Sequence, residues 1–184
     1  MNYAEIKMND IANGPGVRIS LFVSGCRHRC PGCFNSEAWD FNFGKPFKET
    51  VAYKILDAAS PEHISGLTLL GGEPFEPENR LPLTEFTAKF RERYPQKNVW
   101  CFTGFTYEEL LRGDSSRSAE ALLRNIDTLV DGRFVKELHS ASLIFRGSSN
   151  QRIINVQRSL AEGHAILMDG VWERRMGNGN IYDA

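Results

Sequence analysis

Three of the chain's four cysteines, Cys26, Cys30 and Cys33, fall within the eight-residue segment CRHRCPGC, and this spacing constrains the fold more than any other feature. On a continuous helix thiols at i, i+4 and i+7 would share a face, but Pro31 and Gly32 break a helix there. The segment is therefore expected to be a loop wrapping three thiols around one small object. A disulfide framework would instead spread its cysteines to close long loops. A closed structural zinc centre takes four ligands, so zinc would need His28, His63, His139 or His164 to complete the set. His28 lies between two of the thiols, where its ring is poorly placed to reach the same metal. A cubane iron–sulfur cluster normally uses four thiolates, and with three it keeps one iron open to a small molecule. Cys101, the remaining thiol, sits in an apolar run and is expected to be a small buried hydrophobe.

The surroundings of the cluster suggest where it sits. Residues 17–24, VRISLFVS, are rich in β-branched and aromatic side chains and run into Gly25, as a buried strand ending in a functional loop would. Residues 48–59 carry Val51, Ile55, Leu56 and Ala59 at helical spacing and stop at Ser60-Pro61. The short run 67–70 is cut off by Gly71-Gly72, as in a buried parallel strand. Phe86, Phe90 and Tyr94 predict a helix over 84–94, and NVWCFT predicts a strand over 98–103. A helix is expected from Thr106 through Leu111, a loop over 113–118, a helix over 119–125 and a strand over 128–130. Residues 153–156 and 165–168 read as short strands.

Strands alternating with amphipathic helices indicate an α/β fold with a mainly parallel sheet, whose ligands lie at the C-terminal strand ends. The cysteines and Gly71-Gly72 both fall there. At 184 residues one compact domain is expected, without a second domain or linker. With 22 basic against 23 acidic residues there is no electrostatic case for nucleic acid, and no run is apolar and long enough for a membrane span. The N-terminus carries no targeting segment, so a cytoplasmic location is expected.

The loop Gly71-Gly72-Glu73-Pro74 has two readings. It is an ordinary strand-to-helix turn, or its bare backbone approaches a ligand and offers carbonyls to an ammonium group, with Glu73 supplying negative charge or anchoring the loop.

The segment VSGCRHRCPGC resembles the CxxxCxxC signature of the radical S-adenosylmethionine superfamily, and the GGE loop resembles that superfamily's methionyl-amine site. More narrowly, NGPG (13–16), SLFVSGCRHRCPGC, GGEP, VDGRF (130–134) and RGSSNQR (146–152) resemble the activating proteins of anaerobic ribonucleoside-triphosphate reductase. That resemblance spans residues 1–157. It implies a [4Fe-4S] cluster on Cys26, Cys30 and Cys33, and S-adenosyl-L-methionine bound by Gly32, Cys33, Phe34, Gly71, Gly72 and Glu73. Where the superfamily more often has an aromatic residue before the third cysteine, this chain has Gly32, and Phe34 follows; Phe34 is expected to take over packing against the adenine.

The implied fold is an incomplete, laterally open (β/α) barrel over residues 1–157, since 184 residues are few for a closed one of about 250. Residues 158–184 would form a C-terminal extension packed on the same domain. The implied partners are the reductase large subunit, which receives a glycyl radical, and a flavodoxin- or ferredoxin-like electron donor. No acid–base pair is required beyond the cluster and the bound S-adenosylmethionine. Rival readings are an activase of another glycyl-radical enzyme, an enzyme like the 7-carboxy-7-deazaguanine synthases, and a non-catalytic metal-binding module.

Overall fold

The computed structural model describes residues 1–112 and 116–170. Among these, seven strands and five α-helices form a mixed α/β fold on one sheet. The strands are β1 (Asn2–Asp10), β2 (Val17–Val23), β3 (Lys45–Pro46), β4 (Ile64–Gly71), β5 (Asn98–Phe102), β6 (Thr128–Asp131) and β7 (Arg152–Asn155). The helices are α1 (Glu49–Ala58), α2 (Pro77–Arg93), α3 (Tyr107–Leu110), α4 (Ser116–Leu123) and α5 (Val156–Glu162).

The sheet order is β3-β1-β2-β4-β5-β6-β7. The four central strands β2, β4, β5 and β6 are parallel, whereas β1, β3 and β7 pair antiparallel at the two sides. The expectation of a mainly parallel sheet thus holds for the centre only. The strand expected over 153–156 is the antiparallel β7, whereas β1 gives little strand signal because it is solvated along much of its length and alternates weakly.

Most expected elements appear with small shifts. Helix α2 begins seven residues earlier than its apolar spacing predicts, because its first turns carry Pro77, Glu78, Asn79 and Arg80, and Pro82 lies inside it. Thr106 caps α3 with a reciprocal capping box to Glu109, but the helix ends at Leu110. Residues 116–118, expected in a loop, open α4, and residues 113–115 of that loop lie outside the described residues. Residues 165–168 do not form a full strand and contribute one antiparallel bridge, Ile154 to Leu167. Residue 157, the expected boundary of the extension, falls within α5, and residues 171–184 lie outside the described residues.

Alternation along the strands gives the sheet two unlike faces. In register, Ile19, Leu67 and Val99 neighbour one another, as do Leu21, Leu69, Cys101 and Leu129. These join Ile55 and Leu56 of α1, Phe86 and Phe90 of α2, and Leu122 and Leu123 of α4 in the main core. The opposite face carries Arg18, Ser20, Phe22, Thr68, Leu70, Trp100 and Phe102, with a smaller cluster of Trp100, Val130 and Ile153. Among the described residues no helix is long and apolar enough to cross a membrane.

Candidate functional site

Beyond Val23 the chain leaves the sheet and enters the cysteine loop. Gly25 and Cys26 are held by main-chain bonds from their N–H groups to the carbonyls of Ala38 (2.8 Å) and Trp39 (3.1 Å). Cys33 N–H closes a turn onto the Cys30 carbonyl (3.1 Å), and Asn35 N–H points at Cys33 Sγ (3.4 Å). Cys26, Cys30 and Cys33 are free thiols of intermediate exposure, whereas Cys101 is fully buried in the main core. Cys101 therefore stands on the helix-covered face, away from the loop.

The β4 loop lies against the cysteine loop. Gly72 N–H donates to the Val23 carbonyl (2.7 Å) and Glu73 N–H to the Gly25 carbonyl (2.8 Å). No side chain fits at the two glycines: Gly71 has φ +107°, and a Cβ at Gly72 would stand 2.6 Å from the Gly25 carbonyl oxygen. Asn79 at the start of α2 locks the junction by donating from Nδ2 to the Ser24 (3.0 Å) and Glu73 (2.9 Å) carbonyls.

Glu73 faces inward. Its side chain is 1% exposed, and Oε1 accepts from Phe75 N–H and Thr103 Oγ1, each at 2.8 Å, while Oε2 accepts from Gly104 N–H at 2.7 Å. Of the two roles open to it, loop anchoring is the one these bonds describe.

The cysteine and glycine loops enclose a cavity of about 500 Å³ on the face opposite the main core. Cys26, Cys30, Cys33, Phe34, Gly71, Gly72 and Glu73 all line it, as do Phe22, Leu70 and Phe102 of the sheet. Gly32 is not among the lining residues and stands beside Lys136 and Phe134. Phe34 is 75% exposed and joins Phe134 (ring centroids 5.6 Å apart) and His139 (5.8 Å).

Several lining residues are not among the expected site residues. Thr103 and Gly104 come from the end of β5, and Gly132, Phe134 and Gln151 from segments far along the chain. Gln151 ties two segments together: Oε1 accepts from Gly147 N–H (2.8 Å) and Ser148 N–H (3.1 Å), and Nε2 donates to the Gly132 carbonyl (2.9 Å). Asp131 accepts from Tyr107 N–H (2.8 Å) and pairs with Arg152, which also pairs with Glu108 (2.7 Å). The VDGRF and RGSSNQR segments are thus one hydrogen-bonded wall.

Burial pushes the Cys26 thiol up to about 11, with the Glu73 and Glu76 carboxylates adding to the shift. Burial also raises the Cys30 thiol, helped by neighbouring Cys33. Such thiols stay protonated at neutral pH until a metal displaces the proton.

Known proteins resemble this chain over most of its length. A family described as a 4Fe-4S single cluster domain matches residues 12–154. The anaerobic ribonucleoside-triphosphate reductase-activating protein of Pasteurella multocida (strain Pm70) is 41% identical over 155 residues, covering 83% of this chain and 96% of that protein. Its namesake in Escherichia coli (strain K12) is 40% identical over 153 residues, 82% of this chain and 96% of that protein. The one in Enterobacteria phage T4 is 36% identical over 173 residues, 94% and 99% respectively. With its cysteine loop and glycine loop facing one cavity inside the matched region, the chain belongs to the family of anaerobic ribonucleoside-triphosphate reductase-activating proteins and carries a 4Fe-4S single cluster domain.

Proposed function

We propose that the chain is a radical S-adenosylmethionine oxidoreductase that installs a glycyl radical on the large subunit of anaerobic ribonucleotide reductase. The observation that carries this reading is the convergence of Cys26, Cys30, Cys33, Gly71 and Gly72 on one cavity at the C-terminal ends of β2 and β4. The donor set fits a [4Fe-4S] cluster. Three soft sulfur ligands are present, and Cys101, the remaining thiol, is sequestered on the other face. Among the described residues no three His, Cys, Asp or Glu side chains converge on a single-ion position. A cubane distributes its thiolates over separate irons, which suits three cysteines carried on one short loop.

In the proposed site Cys26, Cys30 and Cys33 would hold the cluster, and the Gly71–Gly72 wall would face the methionyl group of S-adenosyl-L-methionine. When bound, the cluster and S-adenosylmethionine supply reductive carbon–sulfur cleavage and a carbon radical able to take a hydrogen atom from glycine. The protein's share is binding, orientation and exclusion of water. Gly71 and Gly72 bring bare backbone to the cavity, and Glu73, spent on internal bonds, fixes that backbone in place. Phe34, together with Phe134, offers an aromatic surface for the adenine at the Cys33 end.

The sheet, with helices on one face and the cavity on the other, supports the reading of an incomplete, laterally open (β/α) barrel, and an open side is what a peptide loop of the partner needs. The names of the relatives support the reductase as that partner. A flavodoxin- or ferredoxin-like protein is the proposed electron donor and the cytoplasm the proposed location. Residues 158–170 are proposed to belong to the same domain, since the Ile166 carbonyl accepts from Asn155 N–H and Met168 N–H donates to the Ile153 carbonyl, each at 2.8 Å, which ties the segment to β7.

The test is anaerobic reconstitution with iron and sulfide, reduction by dithionite, and addition of S-adenosylmethionine. We expect 5′-deoxyadenosine, and a glycyl-radical doublet in electron paramagnetic resonance when the reductase large subunit is present. Bound zinc without cleavage would sink the proposal. Cleavage without a doublet on a competent partner would leave the radical chemistry standing and remove the partner.

A further inference from the structure

His28 lies between Cys26 and Cys30 and has no part in the reading above. In an exposed metal-binding loop an imidazole would turn to the metal or to water. Here the side chain is only 6% exposed and turns toward the ends of β4 and β5. Its ring packs edge-on against Phe105, with centroids 4.4 Å apart. It also occupies the space where residue 104 would carry a side chain: a Cβ on Gly104 would stand 2.4 Å from His28 Cδ2 and 2.7 Å from Nε2.

The third contact is with Glu73. A carboxylate oxygen accepts about two hydrogen bonds. Oε1 is filled by Phe75 N–H and Thr103 Oγ1, and Oε2 receives Gly104 N–H, which leaves Oε2 with one position. His28 Nε2 stands 3.1 Å from Oε2. That nitrogen is buried and off hydrogen-bond alignment, with no other hydrogen-bond partner among the described residues. The link is thus a close polar contact between the cysteine loop and the carboxylate. Glu73 already joins the β4 and β5 loops, and His28 adds the β2 loop, which bears the cysteines.

We propose that His28 is a positioning residue: its imidazole pins the cysteine loop to Glu73 and Gly104, and so fixes where the thiols stand relative to the Gly71–Gly72 wall. The inference rests on the cavity holding a cluster and S-adenosylmethionine. Displacing reactants by about 1 Å can cost on the order of a hundredfold in rate, so a loop anchor far from the reacting bond has leverage on turnover.

The test uses the full-length chain and the variants His28→Ala and His28→Gln, the latter carrying an amide N–H in place of Nε2. In the iron-free protein, amide hydrogen exchange at residues 26–33 and at Gly104 should accelerate at least tenfold in His28→Ala and stay near wild type in His28→Gln. After reconstitution both variants should bind wild-type iron, since all three thiols remain. KM for S-adenosylmethionine should rise about tenfold and 5′-deoxyadenosine formation fall about tenfold in His28→Ala, with both restored to within about threefold in His28→Gln. Wild-type exchange and kinetics in His28→Ala overturn the proposal. Loss of iron from His28→Ala overturns it in favour of a ligand, and equal failure of His28→Gln overturns anchoring through Glu73. Should the wild-type protein load iron and leave S-adenosylmethionine intact, the function proposed above fails, and hydrogen exchange alone still decides the role of His28.

Discussion

The two faces of the sheet are built from the same strands by different rules. On the helix-covered face Ile19, Leu21, Leu67, Leu69, Val99, Cys101 and Leu129 are all fully buried and apolar. On the other face burial is just as deep at Arg18, Ser20 and Thr68, yet the side chains are polar, and Arg18 and Thr68 are pinned by hydrogen bonds. Arg18 Nε donates to Thr68 Oγ1 (2.7 Å), Nη1 to the Pro15 carbonyl (3.2 Å) and Nη2 to the Leu67 carbonyl (2.7 Å). Thr68 Oγ1 in turn donates to the Asn13 carbonyl (2.8 Å), so this stitching holds the NGPG turn over the sheet. One face stabilises the fold through area removed from water; the other gives up apolar area to shape the floor and rim of a cavity.

Iron binding gives the sharpest test of that division. Cys30→Ala should abolish cluster binding, whereas Cys101→Ala should keep near wild-type iron, because Cys101 belongs to the apolar face. Iron content of each reconstituted variant checks this. Equal loss from both would put Cys101 among the ligands and erase the distinction between the faces at that strand end.

Stability separates the faces next. Leu69→Ala removes a fully buried side chain from the main core and should cost about 2–5 kcal/mol, read as a shift of the urea midpoint. Leu70→Ala, one residue along, points into the cavity, where the space left is already continuous with a void. It should cost less than half as much. Similar costs for the pair would mean that the cavity face is packed as a core.

How much of this was legible in the sequence follows the same division. The central strands announce themselves as short apolar runs ended by glycine, and the cysteines and Gly71-Gly72 mark the site by residue type and spacing alone. The edges do not: β1 is partly solvated, and the first turns of α2 carry Pro77, Glu78 and Asn79 in place of an apolar stripe. Nor does single-residue chemistry reveal the Glu73 hub. Thr103 and Gly104 lie about thirty residues from Glu73 and meet it only because β4 and β5 are parallel neighbours. RGSSNQR stood out by resemblance, and its physical work, Gln151 bridging to Gly132 and Gly147, depends on the antiparallel return of β7.

Thr68→Val tests whether polar stitching matters to the fold. It leaves Arg18 Nε and the Asn13 carbonyl without their partner inside a buried region, a loss of about 1–3 kcal/mol. Burial has already lowered the Arg18 guanidinium to about 10, offset in part by the charges of Asp127 and Asp10. Thermal unfolding of the variant near neutral pH measures the effect. A neutral result would show that solvent enters the Asn13–Arg18 junction.

Phe34→Ala should have the smallest effect on the fold. At 75% exposure the ring removes little area from water on folding, and its neighbours Phe134 and His139 keep their own contact at 6.0 Å. Stability should therefore stay within about 0.5 kcal/mol of wild type. Binding of S-adenosylmethionine to the reconstituted protein should nevertheless weaken several-fold, because the ring's free face lines the cavity beside Cys33. The two measurements pull apart only if this side chain is held for a ligand. A stability loss above about 1 kcal/mol with unchanged ligand affinity would assign Phe34 to packing and move the adenine elsewhere along the cavity wall.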